Sequence, residues 1–144
     1  MSATDQDLLE RLDLDSLVLD ECQIVRGEAE NARPGKVDSK IDVAFSKQGN
    51  IVYTVESQHS FMNADGELLV RIDASFAASY TYEGAEPDDD QIAEYAQTAL
   101  MIQVLPFMRE FLASMTNRLG LAPFYLPLFR NRAKVLARPR AVVQ

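Results

Sequence analysis

Residues 99–105, Ala-Leu-Met-Ile-Gln-Val-Leu, are apolar nearly all the way round a helical wheel, and they lie inside a segment that reads as one long helix over 89–119. A helix on the surface of a small domain shows a single apolar stripe roughly 100° wide. One that is apolar on every side calls for cover on both faces. No run in the 144 residues reaches the roughly 18 apolar residues of a membrane span. The expected second cover is therefore another copy of the chain, with Leu100, Val104, Phe107, Met108 and Phe111 at the contact.

The ends of this helix are marked. The acidic run 83–90 supplies carboxylates that cap free N–H groups and meet the positive end of the helix dipole. Gly120 is a natural C-terminal stop. Gln103, Glu110, Ser114 and Asn117 form a polar stripe, with Leu100, Val104, Phe107, Met108, Phe111 and Met115 largely opposite. Pro106 removes one backbone donor and is expected to kink or split the helix.

Everything before it reads as strands. From Leu12 to Arg26 the apolar positions change phase: Leu12 and Leu14 share one register, Leu17 and Leu19 the other, and Cys22 and Ile24 return to the first. Such switches mark bulges, or a strand covered on both faces. Residues 27–36 hold two glycines and a proline and read as a loop. Ile41, Val43 and Phe45 then alternate with Lys40, Asp42 and Ser46, turns fall at 47–50 and 63–66, and a further strand spans about 51–61. The clearest strand is 67–82, with Leu68, Val70, Ile72, Ala74, Phe76, Ala78, Tyr80 and Tyr82 on one face and Arg71, Asp73, Ser75, Ser79 and Thr81 on the other. Fully extended it is about 50 Å long. The fold class is thus α+β: a four-stranded antiparallel sheet followed by a long kinked helix and a short basic C-terminal helix over 127–137. It forms a single domain with its core over about 12–137.

Composition narrows the chemistry. At 47% hydrophobic and 25% charged the chain is an ordinary globular one. An acidic start and a single cysteine, Cys22, point to a cytoplasmic protein without an internal disulfide. The net charge of −8 disfavours nucleic acid, and the basic residues after Glu110 are too few to reverse that. His59 is the only histidine, and no motif joins it to Cys22 as a nucleophilic pair. Zinc sites draw on several Cys or His ligands, and no phosphate-binding glycine loop is present. Asp88-Asp89-Asp90 lacks the spaced ligands of a calcium loop and reads as a helix cap. No cofactor, metal or catalytic constellation is expected.

The segment 122–129, Ala-Pro-Phe-Tyr-Leu-Pro-Leu-Phe, concentrates aromatic and aliphatic side chains between prolines. They either cover one edge of the sheet or line a groove for extended apolar peptide, since aromatics give large contact area at low entropy cost.

Four strands, a long kinked helix, a glycine break, an aromatic–proline loop and a short last helix is an order that resembles the export chaperone SecB. Pro106-Phe107-Met108-Arg109-Glu110 is similar to that family's Pro-Tyr-x-Arg-Glu, and Ser114-Met115-Thr116-Asn117-Arg118 to its Ser-Met-x-x-Arg. The loop from Ala122-Pro123 to Leu126-Pro127 resembles a shortened form of its Pro-rich segment. The resemblance in order spans about 12–137, and at the level of residues only 100–127. It implies a homotetramer, a dimer of dimers with long helices sandwiched between sheets. It implies no enzymatic activity, but a chaperone that binds unfolded client in a hydrophobic groove. Here that groove would be lined by Phe124, Tyr125, Leu126 and Phe129, with Val43 and Phe45 beneath.

In the export branch an acidic and apolar patch on the outer sheet docks the translocase ATPase. The corresponding residues here are Asp20 and Glu21, loosely aligned, with Leu69 and Arg71; the family's Leu-x-Glu has become Leu69-Val70-Arg71, a charge reversal. The final segment is basic where the export proteins end in an acidic tail. These departures favour a relative that guards an antitoxin or serves a narrow set of clients, engaging the translocase weakly or not at all. The rival architecture is a hot-dog-type thioesterase or acyl-binding protein, with Glu110 as its candidate acid. In that fold the helix precedes most of the strands, whereas here it follows all four.

Overall fold

The computed structural model describes Leu8, residues 10–124 and residues 140–141. Four long antiparallel strands come first: β1 (Leu12–Arg26), β2 (Pro34–Gln48), β3 (Asn50–Asn63) and β4 (Leu68–Tyr82). A helical segment follows as α1 (Asp89–Tyr95), a π-helical turn (Ala96–Leu100) and α2 (Met101–Arg118). A two-residue strand, β5 (Arg140–Ala141), completes a sheet ordered β1-β4-β3-β2-β5. The expected four-stranded sheet and following helix are present. The short fifth strand, parallel to β2, was not foreseen. The expected helix over 127–137 lies outside the described residues.

Alternation decides which side of the sheet is buried. On β4, Val70, Ile72, Ala74, Phe76, Ala78 and Tyr80 face the helix and are at most 5% exposed, while Arg71 and Thr81 on the outer face are open. Ile51, Tyr53 and Val55 of β3 pair with Tyr80, Ala78 and Phe76 and continue the same inner face. Three tyrosines knit it together: Tyr53 packs edge-on to Tyr80 and stacks on Tyr95, and its hydroxyl donates to the Ile92 carbonyl at 2.7 Å. That bond ties α1 to the centre of the sheet. Burial pushes the Tyr53 phenol far above its ordinary range, so it remains a donor.

The phase switches in β1 are bulges. Its pairing with β4 slips between Leu14 and Ser16 and again between Leu19 and Glu21. Each slip absorbs one residue, Asp15 and then Asp20. Leu12, Leu14, Leu17, Leu19, Cys22 and Ile24 therefore all lie opposite inner-face residues of β4.

The helix begins at a capping box. Asp88 accepts from the Gln91 N–H at 2.8 Å, and the Gln91 side chain accepts from the Asp88 N–H at 3.0 Å. It ends in a Schellman motif. Leu121 N–H bonds to the Thr116 carbonyl and Gly120 N–H to that of Asn117, with Gly120 at φ 82°, which a residue with a Cβ adopts only at a cost.

Between these ends the helix departs from expectation in two ways. It runs through Pro106 as α2, and the break in α-helical periodicity is the π turn several residues earlier. The buried row explains the need for it. Ile92, Ala96, Leu100, Val104, Met108, Leu112 and Thr116 are each 0% exposed, at a strict spacing of four. On a 3.6-residue helix such a row drifts by about 40° per step, and a wider turn takes part of that drift back.

The second correction concerns oligomerisation. Leu100, Val104 and Met108 are fully covered within the chain and have no surface left for a second copy, while Phe107 and Phe111 pack edge-on against Phe76. Of 99–105, only Ile102, at 52%, is an exposed large apolar residue. The apparently all-round apolar helix is one whose buried arc is wide.

Candidate functional site

The cover provided by the helix stops between β4 and β1. Tyr80 and Phe76 on β4 are 0% exposed, whereas Leu14 and Leu19, directly opposite on β1, are 39% and 40% exposed. Leu17 and Ile24 are half-buried on the same face. The two bulges thus assemble a row of aliphatic side chains that carries the core out to an open sheet edge. Val18 and Val25, on the other face of β1, are exposed as well. An apolar strip continuous with the core and exposed on the single chain is a candidate interaction surface.

A second apolar feature follows the helix. Phe124 packs edge-on to Phe61 with ring centroids 5.3 Å apart, and lies tilted over His59 at 6.2 Å. Its N–H donates to Thr116 Oγ1 at 2.9 Å. The buried threonine, which donates back to the Leu112 carbonyl, anchors the start of the aromatic loop to the last turn of α2. His59 is 0% exposed, its Nδ1 lies 2.8 Å from Ser39 Oγ, and burial lowers its pKa to about 4 against a smaller upward pull from Asp73. It is neutral at neutral pH.

The outer face of the sheet is polar. A shallow depression of about 320 Å³ is lined by Glu21, Lys40, Asp42, Glu56, Gln58 and Asp73, among others. Asp73 Oδ2 accepts from Arg71 Nε and Nη2 at 3.0 and 2.8 Å, so Arg71 is ion-paired to its own strand.

The residues expected at functional sites are distributed as follows. Phe124 is half-buried on β3 at the Phe61 end. Val43 and Phe45 are buried, at 4% and 3%, and pair with Val55 and Tyr53, six and eight residues along β3 from Phe61. The structure therefore does not bring Phe124 together with Val43 and Phe45. Tyr125, Leu126 and Phe129 lie outside the described residues. Glu21 and Arg71 sit on the outer face, opposite Ser75 and Val25, with Leu69 two residues from Arg71; Asp20 occupies a bulge. Cys22 faces Ala74 and His59 faces Ile72, so β4 lies between them and they form no pair. Glu110 is exposed on the outer side of α2. Among the described residues no cluster of three or more metal-ligating side chains occurs, and no helix is long and apolar enough to cross a membrane. Sequence reading missed the open row on β1 as a surface, although its phase switches were visible.

Four antiparallel strands in the order β1-β4-β3-β2 followed by one long helix define a SecB-like fold. The chain superposes on the Mycobacterium tuberculosis SecB-like chaperone Rv1957, solved in complex with a ChAD peptide from the Rv1956 HigA1 antitoxin, with a TM-score of 0.78. The match covers 89% of this chain and 97% of that one at 20% identity. A Streptococcus agalactiae protein of unknown function aligns over 81% of this chain and 97% of its own, at 10% identity and a TM-score of 0.33, too distant to argue from. No protein-family profile and no curated protein sequence matches the chain.

Proposed function

We propose that this protein is a SecB-like chaperone, without enzymatic activity, that holds unfolded or extended client polypeptide. The observation that carries the reading is the aromatic platform after the helix, where half-buried Phe124 packs over Phe61 and His59 and is anchored by Thr116. The likeness in fold to a chaperone solved with an antitoxin peptide supports it. The active species is a cytoplasmic homotetramer, a dimer of dimers. The β1 row and Ile102 replace the buried helix residues as its contact surface, and Phe107 and Phe111 remain the half-buried helix residues available to it.

Client side chains dock on the platform that Phe124 builds over Phe61 and His59, with Tyr125, Leu126 and Phe129 as the further contacts the sequence offers; Val43 and Phe45 are buried in the core and lie outside this platform. The client is an antitoxin or a similarly narrow set of chains. Ion-paired Arg71 beside Leu69, with Asp20 and Glu21 on the neighbouring strand, gives an outer face that engages a translocase ATPase weakly at most.

Light scattering tests the function. A denatured client diluted into buffer should stay soluble with a stoichiometric amount of this protein. An acyl-binding protein or thioesterase of hot-dog type would not suppress the scattering, and unchanged aggregation would refute the reading.

A further inference from the structure

The two edges of the sheet are guarded differently. A strand edge exposes unpaired N–H and C=O groups and invites another chain to pair, so proteins blunt their edges with bulges and charges. The β1 edge has both: bulges at Asp15 and Asp20, with Asp13 and Glu21 beside them. The β2 edge lacks the bulges over most of its length. Its register with β3 runs without a slip from Val37↔Phe61 to Gln48↔Asn50, twelve residues of uninterrupted ladder. Among the described residues its outer side is occupied at only two positions, where β5 lies parallel to it with Arg140 opposite Ala44 and Ala141 opposite Phe45.

We propose that β5 is a built-in competitor for client: the 140–141 strand holds the β2 edge, and an extended apolar segment of the client displaces it by pairing along the same edge. The proposal rests on the chaperone reading above and specifies how one part of its surface is loaded and kept closed. Strand addition suits a client without a fixed sequence, because the affinity comes from main-chain hydrogen bonds, which every residue except proline supplies. Every second side chain of the added strand then falls on the inner side, beside Val43 and Phe45, which are on the core face of β2.

The competitor is matched to that task. Val142 and Val143, next in sequence after Ala141, are strong strand formers, whereas Pro139 has no N–H to pair ahead of Arg140. Among the described residues the parallel pairing involves two residues of β5, a short seal that a longer client strand outcompetes. A closed state populated nine-tenths of the time lowers apparent client affinity about tenfold.

The test uses reduced, carboxymethylated α-lactalbumin, which stays unfolded, as the probe. Its affinity is measured for the full chain, for a variant that stops at Ala137, and for the full chain carrying Ala141→Pro and Val142→Pro. The expected result is about three- to tenfold tighter binding by both variants, with slower amide exchange along 41–47 when probe is bound. A synthetic peptide of residues 138–144 added to the shortened variant should restore the weaker affinity. If the shortened variant does not fold, the proline variant carries the test. Equal affinities, with unchanged exchange over 41–47, overturn the competitor while leaving the chaperone reading standing. Larger assemblies of the shortened variant at unchanged affinity assign the edge to a second copy and also overturn it. Failure of every form to bind the probe, the full chain included, refutes the chaperone reading itself.

Discussion

Lowering the pH should destabilise this fold through one side chain. His59 is fully buried on the inner face of β3, beneath Phe124, and its pKa is lowered to about 4 by burial. In the unfolded chain it returns to about 6.5. The unfolded state therefore binds the proton first as pH falls, and stability is lost from about pH 6.5 down to about pH 4, below which the penalty is constant. For these two pKa values the loss between pH 7 and pH 5 is about 2 kcal/mol.

Other groups titrate over the same interval, so the quantity to measure is a difference. Denaturant unfolding is followed from pH 7 to pH 5, at fixed protein concentration, for the natural chain and for His59→Gln, which keeps a polar partner for Ser39 without a titrating ring. The gap between the two should shift by about 2 kcal/mol in favour of the glutamine variant as pH falls. NMR of the folded protein should find the imidazole still neutral at pH 5. Parallel curves for the two proteins, or an imidazole titrating near 6.5, would show that the ring is hydrated in solution and that Phe124 does not seal it.

Three further outcomes follow from particular contacts. Leu14→Asp with Leu19→Asp should dissociate the oligomer while leaving the circular dichroism spectrum unchanged, because both side chains are about two-fifths exposed on the single chain; sedimentation reads the mass, and an intact oligomer would remove β1 from the interface. Thr116→Val keeps the shape but leaves the Phe124 N–H and the loop unanchored; we expect about 1–2 kcal/mol lower stability and weaker client binding, and unchanged values for both would detach the loop from the site. Tyr53→Phe removes a second donor from the Ile92 carbonyl, which keeps its helical bond from the Ala96 N–H; a loss of about 0.5–1.5 kcal/mol is expected in chemical denaturation, and a neutral effect would mean that the tie between α1 and the sheet contributes nothing net.

Much of the fold was legible where one face of an element is buried and the other is not. β4 alternates without interruption, and the displaced leucines of β1 recorded both bulges, since a one-residue slip moves every following side chain to the other face. Asp88 and Gly120 announced the helix ends through their own chemistry. Three features were not legible. The apolar run 99–105 does not say which of its residues a sheet within the same chain will cover, so Leu100, Val104 and Met108 were assigned outward when they are the centre of the packing. The inner face of β3 carries Ser57 and His59, buried polar residues that interrupt its apolar pattern. β5 is two residues long, too short for periodicity, and only the valine pair 142–143 beside it hints at it. The open row on β1 could have been found by noting that a single helix is narrower than a four-stranded sheet.

The central claim is that this chain captures unfolded polypeptide on an assembled tetramer, and native mass spectrometry of the protein mixed with a permanently unfolded client tests it most directly. The account predicts four copies of the chain with one client bound, and no complex with the same client in its folded form. A population of client-free monomers, at concentrations where the client is in excess, would contradict it.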